Sequence, residues 1–314
     1  FSPATHRLWK RGDMQMVTST GCPFNCQFCC LASAWSPREL DEFEKQVDKI
    51  HEFTGFTEVS FSDPNLGHGR YKNAEGKHVR LDRVERMRGI GKILRKHNIH
   101  WDGNLRSDLI DEPMVEAMAW SGCTSIEFGC ESGNDYFLRK VIKKGHGVDS
   151  ILNANRCMSG SGISVMNSWV RGMPFETHTQ WLDTMNCIDT IMEMAPEARA
   201  SIYRYTPYPG CGAYDNAVAG RGIEKFHPPT TMRGWGELKL MVDPTYWVAG
   251  LCFRLDNTEK NFPGDDWKLI EPYVLEARAL WKERRPEDFQ HSAEVERLIE
   301  FQVRKHSGRI AVAA

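Results

Sequence analysis

Between residues 14 and 208, a short β-branched or apolar run alternates with a longer amphipathic one, and no other feature of the sequence narrows the fold so far. The strand-like runs cover 14–20, 57–63, 99–105, 124–130, 163–170 and 200–208. Between them, apolar residues recur three and four apart over 37–53, 81–97, 112–120, 150–158 and 179–194, the spacing of a helix with one buried face. In the first of these, Leu40, Phe43, Val47 and Ile50 share that face. Six strands alternating with helices imply parallel strands joined by right-handed crossovers. Two architectures satisfy this, a doubly wound sheet and a partial (β/α)6 barrel. Both put chemistry at the carboxyl ends of their strands.

The pattern changes after Pro209. Residues 213–263 read as loop-rich and aromatic, and two charged helices are expected near 267–283 and 292–305. Residues 64–79 form a polar, glycine-containing insertion after the second strand, longer than most connections in compact domains. Its place on the functional face suits a lid or a substrate contact as well as a tolerated surface loop.

Four cysteines crowd the run TSTGCPFNCQFCC directly after the first strand: Cys22, Cys26, Cys29 and Cys30. The other six are scattered singly, and ten in 314 residues do not make the disulfide framework of a small secreted domain. The spacing C-x3-C-x2-C lacks the second cysteine or histidine pair that completes most zinc sites. Three thiolates in one tight loop can instead hold three irons of a [4Fe–4S] cube and leave the fourth open. Cys30 adjoins Cys29, so its side chain is expected to point elsewhere. With 40 basic against 42 acidic side chains, there is no electrostatic reason to expect nucleic acid or an anionic membrane as partner. No apolar run approaches membrane-spanning length, and a reducing cytoplasm is the expected compartment.

C-x3-C-x-aromatic-C after the first strand of a six-unit α/β fold resembles the radical S-adenosylmethionine superfamily. The resemblance runs over about 13–215, through WDGNLRSDLIDEPMVEAMAWSGCTSIEFGCESGND, KKGHGVDSILNA, VRGMPFET and YTPYPGCGAY. These stretches are similar to the cobalamin-dependent branch, with its class B-like methylases of unactivated carbon or phosphorus and an oxidative ring-forming enzyme. The resemblance implies a partial (β/α)6 TIM-like barrel over 1–212, with a loop-rich and helical carboxyl-terminal extension over 213–314. In the family, S-adenosylmethionine chelates the fourth iron. One electron then breaks its sulfonium–C5′ bond, and the 5′-deoxyadenosyl radical takes a hydrogen atom from the substrate.

By the same resemblance, Cys22, Cys26 and Cys29 are the cluster ligands and Phe28 lies against adenine. Many members carry Gly-Gly-Glu after the second strand; this chain has Ser62, Asp63, Pro64 and Asn65, making Asp63 the candidate acceptor for the cofactor's amino group. Its alternative role is a turn-forming Asp before Pro. Glu131 and Ser132 match a Glu-Ser pair near the ribose and methionine, although Ser132 and Asp135 also read as a capping box. Lys144 is a candidate partner for the methionine carboxylate or else a solvated lysine, and Val170 a backbone contact for adenine. Asn104, Arg106 and Tyr205 are candidate residues of the substrate cavity, with an Arg106–Asp108 ion pair as the plainer alternative.

The implied function is cobalamin-dependent methylation of a small or natural-product substrate. Oxidative cyclisation or rearrangement is the alternative, and a zinc-binding module the distant one. The resemblance also implies an electron donor such as flavodoxin or ferredoxin. The chain has no D-x-H-x-x-G run and begins at Phe1 rather than Met. A cobalamin-binding domain is therefore expected upstream of residue 1 or in trans.

Overall fold

The computed structural model describes residues 14–73, 75–231, 234 and 265–288. The chain order is β1 (Met14–Met16), β2 (Ser19–Thr20), β3 (Ser36–Pro37), α1 (Leu40–Thr54), β4 (Glu58–Phe61), β5 (Arg70–Lys72), β6 (His78–Arg80), α2 (Arg83–Arg95), β7 (His100–Leu105) and α3 (Glu112–Trp120). It continues with β8 (Cys123–Glu131), α4 (Val148–Met158), β9 (Ser164–Arg171), α5 (His178–Met194), β10 (Arg199–Arg204), α6 (Gly212–Val218) and α7 (Asp265–Lys282).

Six strands form a parallel sheet in the order β1-β4-β7-β8-β9-β10. Each new strand is added beside its predecessor and the order never reverses. A doubly wound sheet would reverse at a switch point, so the winding is that of a partial, unclosed barrel. The chain divides into two compact units. The first takes in 14–168, 173–198 and 207–228; the second takes in Trp169–Gly172, Arg199–Thr206 and the described residues from Pro229 onward.

Side chains alternate across the strands as the pleat requires. Met14, Met16, Val59, Phe61, Trp101, Leu105, Ile126 and Phe128 are buried, together with Phe43 and Val47 of α1 and Met114 and Met118 of α3. The opposite face is polar. Gln15 stands beside Ser60, Ser60 beside Asp102, and Asp102 beside Ser125 across three ladders. The Ser60 hydroxyl donates to Asp102 at 2.8 Å. Helix ends follow their local chemistry: Asp82 caps α2, Asp111 caps α3, and Thr177 with Gln180 makes a capping box on α5.

Three expectations need correction. Residues 14–20 are not one strand, because the Thr18 N–H and hydroxyl and the Ser19 hydroxyl all donate to the Asp63 carboxylate. The chain leaves the main sheet there, and β2 pairs antiparallel with β3 instead. The insertion 64–79 is not a bare polar loop: Asn65 and Leu66 are buried, and β5 and β6 form an antiparallel hairpin within it. Helix α6 occupies part of the stretch read as loop-rich. Helix α7 matches the expectation for 267–283; the one for 292–305 lies outside the described residues.

Candidate functional site

The cysteine loop hangs between two anchor points. At its base, β2 and β3 pair, Cys22 bridges to Ala32, and the Ser33 N–H donates to the Cys22 carbonyl at 2.9 Å. Gly21 enters the loop at φ 74°, and a Cβ there would lie 2.1 Å from the Ala34 carbonyl oxygen, so only glycine fits. Farther out, the Gln27 N–H donates to the Ile142 carbonyl at 2.9 Å, and the Ala213 N–H donates to the Gln27 carbonyl at 2.8 Å.

Cys26 is buried, Cys22 and Cys29 are half-buried, and Cys30 is exposed. Burial pushes the Cys26 thiol up, against the opposing fields of Lys144 and Arg106, while Glu131 and Cys22 add to the rise. Burial likewise raises Cys29, against a hydrogen bond from the Leu31 N–H; the charges of Cys26, Cys30 and Cys22 reinforce it. The three thiols thus lie within one another's field. Among the described residues, no three His, Cys, Asp or Glu side chains gather as around one ion. Ligands of a single zinc would stand about 4 Å apart, given Zn–S bonds of ~2.3 Å in a tetrahedron.

Two cations border the loop. The Arg106 Nη1 lies 4.0 Å from Cys26 Sγ, and its guanidinium covers the Phe24 ring at 3.6 Å. Arg106 also holds Asp108 through two contacts, at 2.9 and 3.1 Å, and donates to the Lys144 carbonyl at 2.6 Å. The plainer ion pair and the place beside the cysteines are therefore the same arrangement. Lys144 corrects the expectation of a solvated lysine: it is buried and donates to Glu131 Oε1 at 2.7 Å, with Nζ 5.8 Å from the centre of the Phe28 ring. Its space comes from Gly129, where a Cβ would lie 2.6 Å from Glu131 Oε1 and 3.1 Å from Lys144 Nζ.

Glu131 takes φ 67°, a left-handed conformation uncommon for a non-glycine residue at the end of a strand. Asp63 is buried and committed to Thr18 and Ser19, so it fixes the approach to the cysteine loop. Ser132 does not make the expected capping box with Asp135. Its hydroxyl contacts Thr184 at 3.2 Å and accepts from the Asn134 N–H, whereas Asp135 accepts from the Val148 N–H at the start of α4. Asn104 is exposed on β7, next to Glu127 across the ladder.

Cys22, Cys26, Phe28, Glu131, Lys144 and Arg106 are thus brought to one place, with Asp63 beneath. Val170 and Tyr205 belong to the second compact unit: Val170 lies on β9 and Tyr205 follows β10, its N–H donating to the Arg171 carbonyl at 2.8 Å. Sequence reasoning missed Phe24, Gly129 and His146. Phe24, inside the cysteine run, was open to notice as an aromatic face for a cation. The other two gain meaning only from contacts distant in sequence.

A family model described as the Radical SAM superfamily matches residues 16–188, more than half of the chain. An uncharacterised methyltransferase of Pyrococcus horikoshii is 24% identical over 211 residues, which is 65% of this chain and 42% of that protein. A radical S-adenosylmethionine methyltransferase from Kitasatospora setae, solved with cobalamin and a [4Fe-4S] cluster, superposes with a TM-score of 0.52 at 19% identity, over 69% of this chain and 41% of the other. The cobalamin-dependent S-adenosylmethionine radical enzyme OxsB, solved with aqua-cobalamin and S-adenosylmethionine, gives a TM-score of 0.53 at 16% identity, over 95% and 50%. Such likenesses bear on the fold. The chain spans less than half the length of the curated relative.

Proposed function

Since this chain belongs to the radical S-adenosylmethionine superfamily, we propose that its own reaction is cobalamin-dependent methylation of an unactivated carbon or phosphorus in a small or natural-product substrate. Superfamily membership implies a [4Fe–4S] cluster and S-adenosylmethionine. When bound, these would supply one electron and a cleavable sulfonium, the means of taking a hydrogen atom from an unactivated position. Methyl transfer is the finer reading, supported by the methyltransferase among the curated relatives and by the two cobalamin enzymes that share the fold.

The observation that carries the site is the cysteine loop between two cations. Cys22, Cys26 and Cys29 would hold three irons. Burial pushes the Cys26 and Cys29 thiols up in the protein alone, and Lys144 and Arg106 oppose that rise at Cys26, so the residues fit a cluster that binds thiolates. Cys30, exposed, is left out. Phe28 would pack against adenine. Lys144, paired with Glu131 above the Phe28 ring, would meet the methionine carboxylate. Ser132 anchors the Glu131 turn on α5, and Asp63 anchors the loop. Arg106 covers Phe24 and keeps water from Cys26. Asn104 is a candidate contact for the substrate, and the cobalamin-binding domain would lie upstream or on another chain.

The test uses the intact gene product, reconstituted anaerobically with iron, sulfide and hydroxocobalamin. With a strong reductant and S-adenosylmethionine it should release 5′-deoxyadenosine and show a corrin spectrum. A full-length protein that binds no corrin, and whose turnover ignores added corrin, removes methyl transfer and leaves cyclisation or rearrangement.

A further inference from the structure

The hairpin β5–β6 presents a face that the cluster chemistry does not use. Arg70 stands opposite Arg80 and Lys72 opposite His78 across its ladder, and all four are exposed. Tyr71 and Val79 point the other way, with the Tyr71 ring 6.2 Å from Trp35. One side of the hairpin is therefore basic throughout. Like charges directly opposite each other in a ladder are destabilising, and among the described residues no acidic side chain pairs with these four. Of the nearby acids, Asp82 caps α2, Asp108 holds Arg106 and Asp111 holds Arg83, while Glu75 in the exposed hairpin turn makes no ion pair with a described residue. Within the hairpin, the Arg70–Arg80 pair thus has no direct carboxylate partner.

Arg70 and Arg80 line a cavity of about 810 Å3, together with Arg83, His68, Phe24 and Asp108. Its wall is closed at one point by backbone pairing. The Leu81 N–H donates to the Gly69 carbonyl at 2.7 Å, and a Cβ on Gly69 would lie 2.9 Å from the Arg83 side chain. From the hairpin, a line of rings leads to the cysteine loop: Tyr71 to Trp35, Trp35 to His68 at 5.3 Å, and His68 to Phe24 at 5.6 Å. Phe24 then lies under Arg106, beside Cys26.

We propose that Arg70 and Arg80 bind a phosphate or diphosphate group of the substrate, whose reacting end extends over Phe24 toward the cysteine loop. Two opposed guanidinium groups need more than one negative charge to relieve them, which a phosphoryl group carries and a lone carboxylate does not. Guanidinium forks also match phosphate oxygens in pairs. A small molecule is favoured over a polyanionic chain because the two arginines line a concavity, and because this chain, at a formal charge of −2, offers no general attraction. Assigning the anion to the substrate rests on the radical reading of the neighbouring loop; the anion binding does not.

The test titrates the wild-type protein with inorganic pyrophosphate by calorimetry at low ionic strength, beside Arg70→Gln, Arg80→Gln, the double variant and Arg80→Lys. Pyrophosphate should bind. Each Gln variant should weaken it at least about tenfold, with Arg80→Lys in between and a distant Lys45→Gln unchanged. In the absence of pyrophosphate, Arg80→Gln should unfold no earlier than wild type, because it removes a repulsion. Three results would overturn the proposal: no pyrophosphate binding to wild type, equal binding to the double variant, or tighter binding of orthophosphate, which marks a free-phosphate site. Single-stranded RNA that displaces pyrophosphate and binds more tightly would overturn it in favour of a nucleic-acid surface. Iron content of the same wild-type preparation reports separately on the cluster, so its absence would sink the radical reading and leave the anion site standing.

Discussion

Lys144 and Glu131 share an ion pair that is almost wholly out of water, at 4% and 7% exposure. Removing one partner strands the other, at a cost of roughly 3–5 kcal/mol. Glu131→Gln and Lys144→Met should each lose stability on that scale in urea, and the double variant should recover part of it. His146 supplies a pH dependence. Burial first, then the charges of Lys144 and Arg106, hold its imidazole down at about 4, against Asp108, 3.9 Å away, and the Gly147 carbonyl. The unfolded chain, with the ordinary value near 6.5, binds the proton first on acidification. Stability from this group is thus complete above ~6.5 and lost as pH falls toward 4, by about 3 kcal/mol. His146→Gln should flatten that slope in denaturation measured across the window. In anaerobic reconstitution, alanine at Cys22, Cys26 or Cys29 should abolish the brown cluster, and Cys30→Ala should keep it; iron retained in Cys26→Ala would sink the ligand assignment. The cysteine spacing was legible because ligands on one short loop are a local pattern. The burial of Lys144 was not, because its space is made by Gly129, fifteen positions earlier.

At the scale of elements, the main helices fall within a few residues of where their periodicity placed them, since each is amphipathic and carries its own end signals. The two three-residue strands of the insertion carry mostly basic residues, and each holds a single apolar side chain, Tyr71 or Val79, too short a pattern to announce a strand. The split of β1 from β2 is set by Asp63, a residue 45 positions away, and no local propensity foretells it. Packing between elements gives a further prediction. A Cβ on Gly133 would lie 2.6 Å from the Thr184 Cα and 2.7 Å from the Cys187 Cβ. Gly133→Ala must therefore push α5 away from the turn that carries Glu131. Chemical denaturation should show a loss of about 1–3 kcal/mol, with weaker S-adenosylmethionine binding as the second readout.

For the whole molecule, the open strand order decides the architecture, and the sequence had left two windings in play because both share the same alternation of elements. Among the described residues, no helix is long and apolar enough to cross a membrane. Burial raises the Cys26 and Cys29 thiols of the apoprotein, so a cluster that binds them as thiolates should stabilise the folded chain. Thermal unfolding under argon should give a higher midpoint for the reconstituted protein than for the apoprotein. Equal midpoints would indicate a cluster that is not coupled to the fold.

The two hydrogen bonds at Gln27 also set a timetable. Its partners are Ile142 and Ala213, and the latter lies 186 positions farther along. During synthesis, the cysteine run leaves the ribosome on the order of ten seconds or more before its last anchor exists. Until Ile142 has emerged the outer half of the loop has neither anchor, and until Ala213 follows it has only one. Metal delivered to the finished protein must enter a loop pinned on both sides, whereas metal delivered to the nascent chain meets one that is still free to wrap.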